Sequence, residues 1–521
     1  MVEGKERFSK LVVILFFAAY LLIGCFLVDD YGVSTDESNQ TNKAIITGDY
    51  IFGRNDALLT YQDRHYGAIF PAILWAGDFV FSDSRDIFLY RHFVTFLSFF
   101  LGTFLFYLLL RKLSFGRWLS LFTTFLLILQ PHIFAQSFYN PKDIPFLTMY
   151  VLTLYTLARI LEKNSPKNLA IHGIATGMLV VFRLPGILMF GISLLMFTWM
   201  YISRRLDLKK FVISSVTFLV ASLATLYVFL PVLWKNPLGQ LSDFLSMAPF
   251  TWVGTELYFG TYYHLEQIPL GHPFVYFGIS MPIVFLILFF IGLSRMLWLV
   301  IVRQRLFEPS SGRIMLSLVA IFFTAEVFLV QRPGVYNGWR HELFFYPMFL
   351  LVVVEAIEWL WSSALSLKNK TSVLFGRGAL AAVLVFQIVQ VVVFMVQAHP
   401  YEFLYYNFMA GRDLVDIRQQ FEMDYWGLAF REALEKITVK DQREKITIRS
   451  LDGRLQVFQN LSILPKEQRD RFVVLKSDSP EKEDYMLTFY TDDTETAIAG
   501  YEMIDSVQVF GAVINGTYIP K

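Results

Sequence analysis

Asp36 and Glu37 stand side by side in VDDYGVSTDESNQTNK (Val28 to Lys43), which begins where the apolar run LVVILFFAAYLLIGCFLV stops. With Asp29 and Asp30, four carboxylates emerge together. A carboxylate in this position can act as a general base that takes a proton from an acceptor hydroxyl. The same acids can also serve as caps at the start of a short surface helix. A second group is SFYNPKDIPF (Ser137 to Phe146). Asn140-Pro141 is a turn signal and Pro145 suits the first turn of a following helix, so Lys142 and Asp143 sit on a short, rigid connection. Asp143 favours a helix N-terminus, whereas Lys142 is disfavoured there and calls for an anionic partner. A third is FRLPG (Phe182 to Gly186), in which Arg183 ends an apolar run. A fourth is QRPGVYNGWRHELFFYP (Gln331 to Pro347), with Arg332, Arg340 and His341. Arginines at helix ends often snorkel without further purpose. Lys142, Arg183, Arg340 and His341 taken together have the pattern of a phosphate-holding cluster, for which the planar guanidinium fork is well suited. His65, in RHYG, is a further candidate member.

These residues need helices to carry them, and the composition says of what kind. The chain has 521 residues, 55% hydrophobic and only 17% charged. That composition excludes an ordinary soluble protein of this size and indicates a polytopic membrane protein. A net charge of +1 speaks against a nucleic-acid binder. Cys25 is the single cysteine, which rules out an intramolecular disulfide and a cysteine-based metal site. With a bilayer core needing about 20 apolar residues, spans are predicted at 11–28, 88–110, 118–137, 144–161, 169–183, 186–203, 211–231, 274–300, 314–330, 343–361 and 378–397. The first is read as a retained anchor rather than a cleaved signal peptide, its apolar region being long and without an A-x-A-like site.

Every second loop is basic, from Lys5, Arg7 and Lys10 through RKLSFGR, RRLDLKK and RQRLFEPSSGR to KNK at Lys368 to Lys370. The N-terminus is therefore expected in the cytoplasm, and an odd number of spans puts the C-terminal tail outside. All four site stretches then share the outer face. An ionisable group at mid-bilayer costs about 2.5–3.5 kcal/mol, so groups at the boundary carry a functional expectation. Acids and cations meeting there point to chemistry on a lipid-linked anionic substrate whose tail stays in the bilayer. The outer regions 29–86 and 232–272 are long and rich in aromatics and prolines, and are expected to lie on the bilayer surface or over the bundle. Residues 1–397 form the transmembrane domain in this division. From Ala398 to Lys521 the composition is that of a water-soluble, small mixed α/β domain: DYWGLAFREALEKI has helical spacing, and KITIRS, RFVVLKS, DYMLTFY and SVQVFGAVINGTYI read as strands.

An N-terminal span followed by an outer Asp36-Glu37 pair resembles the C-type (GT-C) superfamily of integral membrane glycosyltransferases. Its protein O-mannosyltransferases and lipid A aminoarabinose transferases are the nearest in layout. YNPKDIP, FRLPG, YNGWRHELFFYP and HPYEFLYYN…DYWGLAFREAL (His399 to Leu434) are similar to bacterial members. The resemblance implies a GT-C fold in the cell inner membrane. It implies transfer of a sugar from a polyprenyl-phosphate donor to an acceptor hydroxyl on a lipid, glycan or protein, with inversion at the anomeric carbon. Asp36 would be the catalytic base, Glu37 would shape the acceptor pocket and Asp143 would orient substrate. Lys142, Arg183, Arg340 and His341, with His65, would bind the donor phosphate. Some relatives use a divalent cation; no ligand set is visible in this sequence, and no obligate metal is expected. Phosphate is already a good leaving group, so one base and a set of cations suffice, without the paired carboxylates of a glycosidase. The alternative is a transporter or flippase of lipid-linked sugars, which would show inverted repeats, broken helices and charges at the midplane. A membrane receptor acting through its tail is a second alternative, and the tail shows no catalytic or metal constellation.

Overall fold

The computed structural model describes residues 2–246, 254–303, 306, 308, 311–330, 336–366, 369–451, 453–476, 478–489 and 498–521. Among them, eight helices are long and apolar enough to cross a membrane, the first Glu6–Leu27 and the last Thr371–Ala398. The chain is thus a multi-pass helical membrane protein carrying a sheet-containing C-terminal region.

Two of the predicted spans are broken, and two others, 169–183 and 314–330, are helices that are not among the eight. The region 118–137 is two helices, Arg117–Ile128 and Pro131–Tyr139, bent by 67°. Pro131 lacks the N–H that would continue the first helix, and the Gln130 side chain caps the second by accepting from Ile133 N at 2.9 Å. The region 274–300 is broken at Met281-Pro282 into His272–Ser280 and Ile283–Ile301 for the same reason. The region 169–183 is the helix Pro166–Phe182, 17 residues long. Its length matters less than its neighbour. Gly173 and Gly177, four apart, face the helix Leu208–Phe229 so closely that an added Cβ would lie 2.7 Å from Phe218 O and 2.5 Å from Ser222 O. Small residues at this spacing let two helices touch backbone to backbone. Arg183, which follows directly, is fixed by that packing.

The chain leaving the first helix is held by an aromatic stack. Tyr31 lies on Phe138 at 4.6 Å, and Phe138 on Phe96 at 5.2 Å, both near parallel. This locks the approach to the helix Thr35–Ile51, which carries Asp36.

Between the membrane helices, β1 (Thr255–Tyr258) and β2 (Thr261–His264) form an antiparallel hairpin. The C-terminal sheet holds β3 (Ile446–Ser450), β4 (Phe472–Val474), β5 (Tyr485–Phe489), β6 (Tyr501–Val509) and β7 (Ala512–Pro520) in the order β4-β3-β5-β7-β6. β3 is parallel to β4 and β5, while β7 is antiparallel to β5 and β6. SVQVFGAVINGTYI, read as one strand, is two: Phe510 and Gly511 take φ of 46° and 84°, which makes the reversal between β6 and β7.

Candidate active site

The helix Thr35–Ile51 starts with a division of labour between its two acids. Glu37 is buried and serves the cap: its Oε1 accepts from Ser34 N at 3.0 Å and meets His92 Nε2 at 3.2 Å. The contacts of Oε1 are those of a helix start, while the buried Oε2 has no hydrogen-bond partner. Ser34 Oγ donates to Tyr139 O at 2.6 Å, tying the cap to the bundle. Asp36 is thereby left for other work, with 13% of its side chain exposed and Oδ2 3.4 Å from Arg340 Nη1.

Arg340 sits on the short turn Arg340–Glu342 and is buried. Its Nη2 donates to Tyr336 Oη at 3.2 Å, and its guanidinium lies over Trp426 at 4.4 Å and Tyr336 at 4.9 Å. Its Nε donates to His341 Nε2 at 3.2 Å. His341 is therefore an acceptor that orients Arg340, not a further cation. Burial, followed by the charges of Arg340, Arg183 and Lys142, holds its imidazole well below the usual range. The turn before Arg340 is held from outside. Glu256 of β1, fully buried, accepts from Asn337 N at 3.0 Å and Gly338 N at 3.1 Å, and its Oε1 meets His272 Nε2 at 3.0 Å. Both turn residues have left-handed backbones, φ 59° and 69°, which bring their N–H groups to one carboxylate. Arg332, which the sequence placed beside this group, lies outside the described residues.

On the opposite side, Asn140 Oδ1 accepts from Lys142 N at 3.2 Å and Asp143 N at 2.9 Å, making the turn the sequence announces. Asp143 is buried, accepts from Asn140 Nδ2 at 2.9 Å and forms an ion pair with Arg183. Its carboxylate thus places an arginine. Lys142 Nζ lies 5.2 Å from the centre of the Tyr66 ring, and Lys43 Nζ lies 5.5 Å from the same ring. Two ammonium groups share one aromatic face.

Burial pushes the Asp36 carboxyl up, but the charges of Arg340, Lys142, Arg183 and Lys43 outweigh it and hold the group below its ordinary value. Asp36 is an ionised carboxylate among basic side chains, Lys43 from its own helix and Lys142, Arg183 and Arg340 from distant parts of the chain. His65 is not among them. Its Nε2 meets Gln240 Oε1 at 3.3 Å, and the charges acting on it are Arg64 and Asp243. Neighbouring side chains of this turn diverge, and here it is Tyr66 that reaches the cluster.

Lys43, Tyr66, Tyr336 and Trp426 stand within the quoted stretches but were not singled out as site residues. Lys43 could have been found, since it follows Asp36 by seven residues and so shares its helix face. Trp426 stands in the DYWGLAFREAL stretch of the resemblance, but nothing there tied it to Arg340. Among the described residues, no three or more His, Cys, Asp or Glu side chains converge as a metal site.

Two solved structures are similar over nearly their whole length. The crystal structure of ArnT from Cupriavidus metallidurans bound to undecaprenyl phosphate is 13% identical, with a TM-score of 0.47 and 97% of each chain covered. The same protein in the apo state is 12% identical, with a TM-score of 0.48 and 98% of each chain covered. Curated proteins offer no match to this chain. Residues 69–234, which carry Lys142, Asp143 and Arg183, match the family model for dolichyl-phosphate-mannose-protein mannosyltransferase, one of the glycosyltransferase groups that the sequence motifs resemble.

Proposed function

We propose that this protein is an integral membrane glycosyltransferase that moves a sugar from a polyprenyl-phosphate donor to an acceptor hydroxyl by a single inverting displacement. The observation that carries the proposal is the ionised Asp36 carboxylate, 3.4 Å from Arg340 and in the field of Lys142, Arg183 and Lys43. A base beside a cluster of buried cations is what such a displacement requires. The acceptor hydroxyl loses its proton to Asp36 as its oxygen bonds to the anomeric carbon. The bond from that carbon to the phosphate oxygen breaks, and its electron pair leaves with polyprenyl phosphate, whose charge the cations stabilise.

The cations also set the timing. With the site empty they weaken Asp36 as a base. A donor phosphate placed among them offsets their charge, so the carboxylate gains proton affinity only when the donor is bound. The donor's lipid tail remains in the bilayer, which suits a site built at the ends of membrane helices. The sidedness of the basic loops supports an extracytoplasmic site and C-terminal region in the cell inner membrane, with a cytoplasmic N-terminus. No step in this mechanism is assigned to a metal ion.

Asp36→Asn tests the proposal. Transfer from polyprenyl-phosphate sugars is expected to fall by about 10²–10⁴-fold, with undecaprenyl phosphate still bound and the thermal midpoint unchanged. A variant that transfers sugar at the wild-type rate would remove Asp36 from the mechanism. Labelling with membrane-impermeant reagents should find Asp36→Cys and Arg340→Cys on the same, outer side.

A further inference from the structure

Glu342 takes no part in the displacement described above, yet it lies two residues beyond Arg340 with 0% of its surface exposed. Neither of its carboxyl oxygens is hydrogen-bonded to another residue, its own N–H being the one backbone donor that acts on it. Native proteins rarely leave such a group unpaired, and those that do commonly place it where a ligand completes it. Of the charges acting on Glu342, that of Arg183 is the strongest, followed by Arg340. Arg183 is in the matching condition. Asp143 holds one side of its guanidinium, while its buried Nε has no acceptor.

We propose that Glu342 and Arg183 together bind a hydroxyl of the donor sugar, which makes Glu342 a specificity-determining residue of the site. This rests on the transferase reading and refines it. A hydroxyl both donates and accepts, so it can give its proton to the carboxyl oxygen while it accepts from the guanidinium. A phosphate diester-type anion brings no proton, so it can meet the carboxyl only in its protonated form, whereas a hydroxyl can meet either form. An ammonium group does not suit the position, because it cannot accept from Arg183. Burial pushes the Glu342 carboxyl up to about 8, so in the empty site it is an uncharged acid, as a pocket for a neutral group requires. The position also fits the order of groups in a glycosyl phosphate. Arg340 and Arg183 belong to the phosphate cluster, and the charges of both act on Glu342, which ties it to that cluster.

The test uses the full-length protein in lipid nanodiscs and two kinds of probe: bare undecaprenyl phosphate, and undecaprenyl phosphate bearing mannose, glucose or galactose. Wild type is expected to bind its preferred glycosylated lipid at least about tenfold more tightly than the bare one. In Glu342→Leu, close in size and without polar atoms, bare-lipid affinity should stay within about twofold, the sugar-dependent gain should vanish, and the empty variant should melt no lower than wild type. Glu342→Gln, which retains an acceptor oxygen, should recover part of the gain. Equal loss of affinity for both lipids in Glu342→Leu, an undiminished sugar preference, or a lower melting midpoint would overturn the assignment. Wild type that binds bare and glycosylated lipids equally would overturn it too, while leaving the phosphate site standing. Wild type that binds neither would overturn the transferase reading itself.

Discussion

At Lys43 burial and the neighbouring Lys142 act together against the ammonium charge, while Asp63 and Asp36 support it. The outcome is a lysine lowered to about 7. Such a group answers to whatever anion enters. A phosphate among the cations favours the protonated form, so binding above this value must take up a proton. Affinity for undecaprenyl phosphate should therefore be full below about pH 7 and fall as pH rises beyond it, by up to tenfold per unit. Lys43→Met should bind more weakly at low pH and lose the slope; a profile just as steep in that variant would place the titrating group elsewhere. At this scale Lys142, Arg183, Arg340 and Asp36 could be picked out from sequence because each interrupts or borders an apolar run, where lipid penalises charge. Lys43 borders no such run. His65 passed the same inspection as its neighbour Tyr66, and only the direction of the side chains separates them.

Glu256 shows what an element contributes. The hairpin β1–β2 is far in sequence from Arg340, yet its buried carboxylate holds the Asn337 and Gly338 N–H groups and so sets the turn from which Arg340 projects. Glu256→Ala should lower stability by on the order of 2 kcal/mol, because charge-assisted bonds to two buried N–H groups are lost. It should also weaken phosphate binding through Arg340. Thermal unfolding and lipid binding on the same sample check both, and a variant unchanged in lipid affinity would show that the turn holds itself. Helices were legible here where apolar runs are continuous. The break at Pro282 was hidden because apolar residues continue across it, and at Pro131, between Gln130 and His132, hydropathy averaged over a span does not register a missing N–H. The Gly173–Gly177 contact was silent for a related reason: it is made by the absence of side chains.

For the whole molecule, the membrane bundle and the C-terminal region share one site. Asn460 accepts from Val33 N at 2.9 Å and donates to Gly427 O at 3.0 Å, joining the approach to Asp36 with the turn that bears Trp426. Gln459 Nε2 donates to Ser38 Oγ at 2.9 Å on the first turn of the acid-bearing helix. Trp426 in turn lies over Arg340. Trp426→Ala should cost about tenfold in undecaprenyl phosphate affinity, in line with roughly 1–2 kcal/mol for a buried cation–π contact. Binding measured at constant pH checks it, and unaltered affinity would reduce the tryptophan to a cover. The tail domain is thus part of the site's wall.

What the sequence determined by itself was the class of molecule, because lipid imposes its rules residue by residue: long apolar runs must be helices, and charges must gather where they end. Tertiary structure alone decided which charges meet. Asp36, Lys142, Arg183 and Arg340 converge because glycine contacts, an aromatic stack and a buried glutamate bring distant helix ends together. Those contacts are made between segments, and no local pattern records them. The same folding turned Glu37 into a cap, His341 into an acceptor and Trp426 into a partner for Arg340, since a side chain's role follows from what surrounds it.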